Sequence, residues 1–381
     1  MNSKNNKGPE RVPLPDNIKM KIWIEAAGRC EFTNCNEKLW KNSLTGSITP
    51  WGQVAHVIGA SRNGPRGRWN SPQLQFNPDN LMLMCPKCHK EIDYGKNIQS
   101  FPPKLLFQMK REHENRVRLL LDQDSKITRP VIISYPIGGN KVFVNKNAVR
   151  KAILPDYADV DEKWNYASLD KFERDALENW KYPIEIIDDL IVDLEKATKN
   201  NGIQHISIFG LAAQPILMYF GFRLGDKIPN QIYEPRRSKE PDNMWEWEKG
   251  GKSISFQINE ITKTNSKDVL LLIALSDYIS EDKYTTVGIG NPSIYEITID
   301  SPVQGFLKRK ADLEGFRVTA RTLLNLIQKQ HGKDCKIHVL PAMPASAAVQ
   351  FGNLIQVTKD PEIHVYEFIN KKFHRVLTLN Q

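Results

Sequence analysis

Four of the five cysteines come as two close pairs, Cys30 and Cys35 spaced C-x4-C, and Cys85 and Cys88 spaced C-x2-C. Two such pairs, brought together by folding, offer four thiolates to one tetrahedral zinc ion. A closed four-sulfur site leaves no open position, so a zinc there is structural. His56 lies between the pairs in Val54-Ala55-His56-Val57-Ile58, and His89 directly follows Cys88. With the sulfurs committed to structure, the two imidazoles and the intervening Asn80 are the candidates for chemistry. An imidazole can exchange a proton near neutral pH and can ligate a divalent metal. Cys335 stands alone before a strand-like run and reads as a small buried hydrophobe.

Short elements must position these groups. Residues 16–27 have helical spacing (Ile18, Ile22 and Ile24, with Ala26 and Ala27), stopped at Gly28. The stretch 30–89 is loop-rich, with short strands expected around 53–58 and 81–84. A helix is expected over 88–94, which sets Asp93 one turn beyond His89 on the same face. A second, long amphipathic helix is expected over 105–121. Residues 1–15 are polar with prolines at 9, 13 and 15 and read as disordered. The expected division is a first domain over 16–122, a polar linker over 123–130 and a second domain over 131–381.

Charge separates these domains. Residues 1–125 carry 19 Lys and Arg against 12 Asp and Glu, whereas the remainder carries 34 against 32. A polyanionic partner is therefore expected at the amino-terminal part. Arg62, Arg66 and Arg68 follow the His56 strand in a Gly/Pro-rich loop, where they suit phosphate contacts that position DNA without reading bases. Lys104, Lys110, Arg111, Arg116 and Arg118 read as a basic helix face. No apolar run is long enough to span a membrane, and the amino terminus lacks the hydrophobic core of a secretory signal. The cysteines are in metal spacing, which suits a reducing compartment, so a cytoplasmic location without membrane partners is expected.

Beyond residue 131, strand and helix patterns alternate, as in α/β layers with a largely parallel sheet. Strands are expected over 131–135, 206–209, 253–258, 269–275, 293–299, 337–340 and 362–368, and helices over 184–199, 214–220, 313–330 and 346–351. Residues 205–234 and 337–367 repeat one pattern: a β run, a small-residue and proline turn, a short helix ending Phe-Gly, and a strand ending Tyr-Glu. Phe220-Gly221 answers Phe351-Gly352, and Tyr233-Glu234 answers Tyr366-Glu367. Two copies of one βαβ unit imply a pseudo-symmetric pair of Rossmann-like halves. The turns before the two helices, ending at Gln214-Pro215 and Ala345-Ser346, set helix N-termini where a nucleotide phosphate can approach the backbone. His205 and His338 open the repeats as core histidines.

The stretches GRCEFTNC, VAHVIGAS, NLMLMCPKCHKEID and LLFQMKREHENR, over roughly residues 24–121, resemble the HNH endonuclease family, which has the ββα-metal fold. The resemblance implies that His56 is the general base that activates water. His89 would bind a catalytic divalent metal, Mg2+ or Mn2+, at the scissile phosphate, and Asn80 would orient the loop or complete the metal site. It departs from the family at Ala55, where many members carry an acidic metal ligand. Asp93, or water, would then fill that place, with His113 a weaker candidate. The implied substrate is double-stranded DNA, cut with little sequence specificity.

The stretches HISIFGLAAQP, IHVLPAMPASAAVQFG and HVYE, over roughly residues 130–381, are similar to the SAVED domain, a fused pair of CARF-like Rossmann units. Together the two resemblances imply an effector of the bacterial CBASS anti-phage system. It would be gated by a cyclic dinucleotide, a cyclic GMP–AMP isomer from a partner nucleotidyltransferase, and would be a homo-oligomer whose dimers assemble further on activation. Arg236, Arg237, Trp245 and Trp247 between the repeats, with Tyr166 and Trp164, have the chemistry to hold phosphates and stack on bases. Two other readings compete: a constitutive restriction-type HNH nuclease whose carboxy-terminal domain recognises modified DNA, and a zinc-stabilised DNA-binding protein with a dead site. The near-neutral charge after residue 125 argues against the first, and the presence of His56, Asn80 and His89 against the second.

Overall fold

Short elements punctuated by glycine and proline make up the first of two units, Met1–Ser125; the second is Lys126–Gln381. The computed structural model describes residues 13–42, 45–121, 125–135, 144–158, 164–201, 203–236 and 243–380. In the first unit α1 (Asp16–Glu25) stops before the expected residue 27. Ala27 and Gly28 both take positive φ there, 52° and 63°, which ends the helix by turning the chain. Strand β1 (Gln53–His56) is followed by α2 (Ser71–Leu74), a 3-10 turn (Pro78–Asn80) and β2 (Leu81–Met84). The two strands pair antiparallel, with Val54 opposite Leu83 and His56 opposite Leu81.

Helix α3 (Pro86–Asp93) starts earlier than the spacing suggested. Pro86 sits where a helix needs no N–H donor, and the Cys85 sulfur caps the turn by accepting from the Cys88 N–H. Then come α4 (Asn97–Ser100) and α5 (Pro103–Leu121). The core beneath is small: Ile22, Leu39, Ala55, Val57, Leu81, Met82, Leu83, Met84, Ile92 and Leu106 are its main buried side chains. Two α5 residues correct the sequence reading. Lys110, expected on a basic outer face, is buried and ion-paired with Glu114 one turn on. His113 is also buried, its Nε2 donating to the Ala26 carbonyl at 3.0 Å, so it packs α5 against the end of α1.

The second unit is built on two sheets. The first half runs β3 (Ile127–Ser134), α6 (Lys146–Ala152), β4 (Tyr157–Ala158), β5 (Asn165–Ser168), α7 (Lys181–Asn201), β6 (Ile206–Leu211), α8 (Gln214–Leu224) and β7 (Asn230–Tyr233). Its strands are ordered β4-β3-β6-β7, with β5 also on β3, and all pairs are parallel. Strand β3 starts at Ile127, inside the stretch read as a linker. The second half runs β8 (Gln257–Thr262), β9 (Asp268–Ala274), α9 (Glu281–Tyr284), β10 (Ser293–Thr298), α10 (Lys310–His331), β11 (Lys336–Ala342), α11 (Ala345–Leu354), β12 (Glu362–Ile369) and β13 (Lys372–Leu379). Its order is β13-β12-β11-β9-β10-β8, with four parallel strands flanked by antiparallel β13 and β8. The strand expected over 253–258 is β8, displaced to 257–262, where it pairs antiparallel with β10.

The repeat read from sequence is β6–α8–β7 and β11–α11–β12. Its two helices cross with their backbones in contact. A Cβ on Gly221 would lie 2.1 Å from the Val349 carbonyl oxygen, and one on Gly352 would lie 1.9 Å from that of Met218. The contact is reciprocal, since Met218 stands to Gly221 as Val349 stands to Gly352. The Phe-Gly pairs are thus the crossing point, with Phe220 and Phe351 fully buried beside it. Backbone cannot move aside as a side chain can, so Gly221→Ala or Gly352→Ala should each destabilise the second unit by about 3 kcal/mol or more. Thermal unfolding followed by circular dichroism tests this; an unchanged midpoint would contradict the contact.

Candidate functional site

The four paired cysteines converge. Their sulfurs all lie within 4.8 Å of one another, and among the described residues this is the only group of three or more His, Cys, Asp and Glu ligands that close. Cys35 and Cys85 Sγ are 4.0 Å apart, near the ~3.8 Å edge of a tetrahedron with zinc–sulfur bonds of ~2.3 Å. Backbone N–H groups of Cys85 and Cys88 donate to the sulfurs of Cys30 and Cys85, each at 3.3 Å. Burial, opposed by N–H groups of Cys85 and Phe32, pushes the Cys30 thiol up to about 12. Four thiolates cannot share such a place without a cation, so the donor set fits a structural zinc.

His56 lies at the end of β1, Asn80 at the end of the 3-10 turn, and His89 and Asp93 on α3, and Arg66 joins the His56 carbonyl to Asp93. His56 closes β1, and its Nε2 lies 3.0 Å from the Gln75 carbonyl oxygen. A carbonyl only accepts, so Nε2 carries the proton and Nδ1 is the basic nitrogen. His89 Nδ1 lies 2.8 Å from Gln53 Oε1, and Nε2 lies 3.4 Å from Asp93 Oδ2. With Nδ1 donating to the amide oxygen, Nε2 is the nitrogen directed at the carboxylate, which it meets here as a donor; without its proton it would join Asp93 as a second ligand of one divalent ion. Burial raises the Asp93 carboxyl, but hydrogen bonds from His89 and Arg66 outweigh it and hold the group below the usual carboxylate range.

Asn80 is 2% exposed and clamps the chain. Its Oδ1 accepts from the Ile58 N–H at 2.8 Å, while its Nδ2 donates to the Ile58 carbonyl at 2.9 Å and the Leu74 carbonyl at 3.2 Å. Of the two roles open to it, this geometry gives loop orientation rather than metal ligation.

Arg66 is a correction. Read as a DNA contact, its side chain is 3% exposed. Nε donates to the Val57 carbonyl at 2.7 Å, and Nη1 to the Ile92 carbonyl at 2.7 Å. Nη2 reaches the His56 carbonyl at 3.3 Å and Asp93 Oδ1 at 2.5 Å. The guanidinium ties the end of β1 to the end of α3 and so sets His56 and Asp93 relative to each other. Arg66 takes a positive φ of 54° in a tight glycine turn, which folds the side chain inward. Arg62 and Arg68 remain exposed on the same loop.

In the second unit the nominated ligand residues divide. Trp245 is wholly buried against Phe209, edge-on at 5.1 Å, so it packs the core rather than meeting a ligand. Pro215 is buried in the first turn of α8. Gln214 joins the halves, its Oε1 accepting from the Met343 N–H at 3.1 Å. Ser346 is buried, and its N–H donates to Glu234 Oε2 at 2.8 Å; the Ala345 N–H also reaches that carboxyl. The N-terminus of α11, read as a phosphate cradle, thus already holds the protein's own carboxyl group. α8 has no side-chain cap at its N-terminal Ala213. Arg236 bonds Glu248 at 2.8 Å, and Arg237 lies outside the described residues. Trp247 is half-buried among core side chains. Tyr166 is 52% exposed and stacks on Trp164 at 6.4 Å. Lys146 Nζ sits 5.1 Å from the Trp164 ring centroid.

Two residues escaped the sequence reading. Gln53, which orients His89, is one polar residue among many. Glu234 was visible in the repeated Tyr-Glu pair, whose other copy, Glu367, is buried and held by Arg174 Nε at 3.0 Å.

Residues 187–379 match the family described as the SMODS-associated and fused to various effectors sensor domain, SAVED. Among solved structures the chain is similar to an Acinetobacter baumannii Cap4 SAVED/CARF-domain containing receptor with the cyclic trinucleotide 2'3'3'-cAAA. The identity is 11% and the TM-score 0.43, over 73% of this chain and 56% of that one. A Moraxella osloensis Cap4 SAVED/CARF-domain containing receptor matches at 12% identity and a TM-score of 0.38, over 73% and 54%. The chain therefore spans little more than half the length of these receptors. No curated protein matches it.

Two outcomes are expected from this geometry. Metal analysis should return one zinc per chain, and Cys88→Ser should lose it along with the unfolding transition of the first unit; a metal-free chain that keeps that transition would contradict a structural zinc. Burial pushes the Glu234 carboxyl up from 4.5 to about 7, against the pull of the Ser346 and Ala345 N–H groups. The folded state thus binds the extra proton, and stability falls as pH rises through that window. Denaturant titrations should show Glu234→Gln gaining on the parent from pH about 4.5 to about 7, with a flat difference above; a difference independent of pH would rule this out.

Proposed function

The chain belongs to the SAVED family, and from that premise we propose that it is a sensor and effector in one: a cyclic-nucleotide-gated, metal-dependent DNA endonuclease of CBASS anti-phage defence. The observation that carries the reading is the set of His56, held on Gln75, and the His89–Asp93 pair in the same unit as a four-cysteine cluster, in a chain whose sensor family is described as fused to effectors. The first unit is then the HNH effector, and its excess of Lys and Arg suits a phosphate backbone. The SAVED unit senses a cyclic dinucleotide, a cyclic GMP–AMP isomer.

Each residue has a task in this reading. His56 Nδ1 takes the proton from the attacking water while Nε2 stays fixed on the Gln75 carbonyl, so the ring does not turn as it becomes charged. His89 and Asp93 hold a divalent ion, with Gln53 fixing the tautomer of His89 and Arg66 fixing Asp93. That ion, when bound, neutralises charge on the phosphate and on the leaving oxygen. Asn80 keeps the His56 strand end in place. Coupling from sensor to effector is a population shift in which ligand favours an assembled, cutting state.

Plasmid cleavage with Mg2+ or Mn2+, across cyclic di- and trinucleotides and a no-ligand control, tests this. Cutting is expected with one ligand alone, and His56→Ala should abolish it while ligand binding persists. Cutting in the control would replace gating with a restriction-type activity, and no cutting in any lane would count against the nuclease.

A further inference from the structure

Trp69 is 76% exposed, although indole side chains are buried in most folded chains. Its support is rigid. Within the loop the N–H groups of Gly59, Gly64 and Gly67 donate to the carbonyls of Pro65, Ser61 and Gly64 at 2.9, 3.1 and 2.9 Å. The Arg68 N–H donates to Ser71 Oγ at 2.8 Å, and Arg62 Nε to the Trp69 carbonyl at 3.0 Å. A Cβ on Gly67 would fall 2.3 Å from the Arg62 carbonyl oxygen, so the loop closes tightly on itself. Arg66, buried beneath, anchors it to β1 and α3. Exposed Arg62 and Arg68 flank the indole. The other exposed large aromatics described in this unit, Trp40 and Tyr94, also sit by cations, with Lys38 and Lys90 each 5.9 Å from the ring centroid.

We propose that Trp69 stacks on a base of bound DNA at a step opened by this loop, with Arg62 and Arg68 on the flanking phosphates. This rests on the nuclease reading and adds a base contact to it. Guanidinium groups account for phosphate binding without any indole, whereas a rigidly held aromatic beside them matches the wedge and stacking contacts that proteins make with unpaired or unstacked bases. Such contacts tolerate any sequence, because every base has a π-face.

The test uses the full chain carrying His56→Ala, so that DNA is bound but not consumed. Affinity for a short fluorescent duplex is measured with Mg2+ and, separately, the 3′,3′, 2′,3′ and 3′,2′ isomers of cyclic GMP–AMP, over a range of salt. Trp69→Ala should weaken binding about tenfold, the effect of losing one base–aromatic stack, without changing the salt dependence. Trp69→Phe should stay within about threefold of the parent. Arg68→Ala should lower the salt slope by about one. Trp69→Ala binding as tightly as the parent, or with a reduced salt slope, overturns the stacking role and leaves the nuclease reading standing. A parent that binds no duplex under any of these conditions overturns both.

Discussion

A charge or amide taken out of water must be met inside the protein, and this constraint organises both units. Leaving one such group unpaired costs several kilocalories per mole, and three buried polar side chains show how partners are arranged to meet it. Arg66 lies under its loop because the carbonyls of His56, Val57 and Ile92 and the Asp93 carboxylate are there to receive it. Asn80 is buried because the Ile58 peptide offers a donor and an acceptor at the spacing of its amide. Glu234 sits deep between the halves because two peptide N–H groups at the start of α11 face it. In each case one buried polar side chain fixes the relative position of segments distant in sequence. The arrangement of His56, His89 and Asp93 inherits its geometry from Arg66 and Asn80, and the junction of the sensor halves inherits part of its own from Glu234.

The same constraint explains what the sequence made legible. Patterns that depend on spacing were readable: the cysteine pairs, the alternation of strand and helix, and the repeated Phe-Gly and Tyr-Glu pairs. The cysteines do converge, and the repeated segments are two βαβ units, one in a parallel sheet and one in the parallel centre of a mixed sheet. Patterns that depend on which way a polar side chain turns were not. Arg62, Arg66 and Arg68 are alike in sequence, yet a positive φ and a glycine turn send only Arg66 inward. Lys110 is one of five basic residues around the long helix, but it falls on the stripe that carries Leu106 and Met109. The start of α11 looked like an open anion cradle because its occupant comes from β7's end, over a hundred residues earlier. Trp245 follows the Arg236-Arg237 pair by eight residues in sequence but packs edge-on against Phe209 in space. Edge strand β13 also went unread, although Asn370 and Lys371, both at positive φ, form the tight turn that folds it back on β12.

In the SAVED unit the two halves share more than a fold. Glu234 caps α11, while its counterpart Glu367 pairs with Arg174, so the copies have diverged at matching positions. The helix crossing has not diverged. Gly221 meets Val349 and Gly352 meets Met218, each contact the image of the other. That reciprocity is the mark of an isologous interface, the kind made when two identical subunits meet across a two-fold axis. Two identical subunits meeting through this helix would need one glycine codon to make both contacts. Within one chain the same pair of contacts occupies two codons under a joint constraint. Either glycine can be lost alone, and neither copy can stand in for the other.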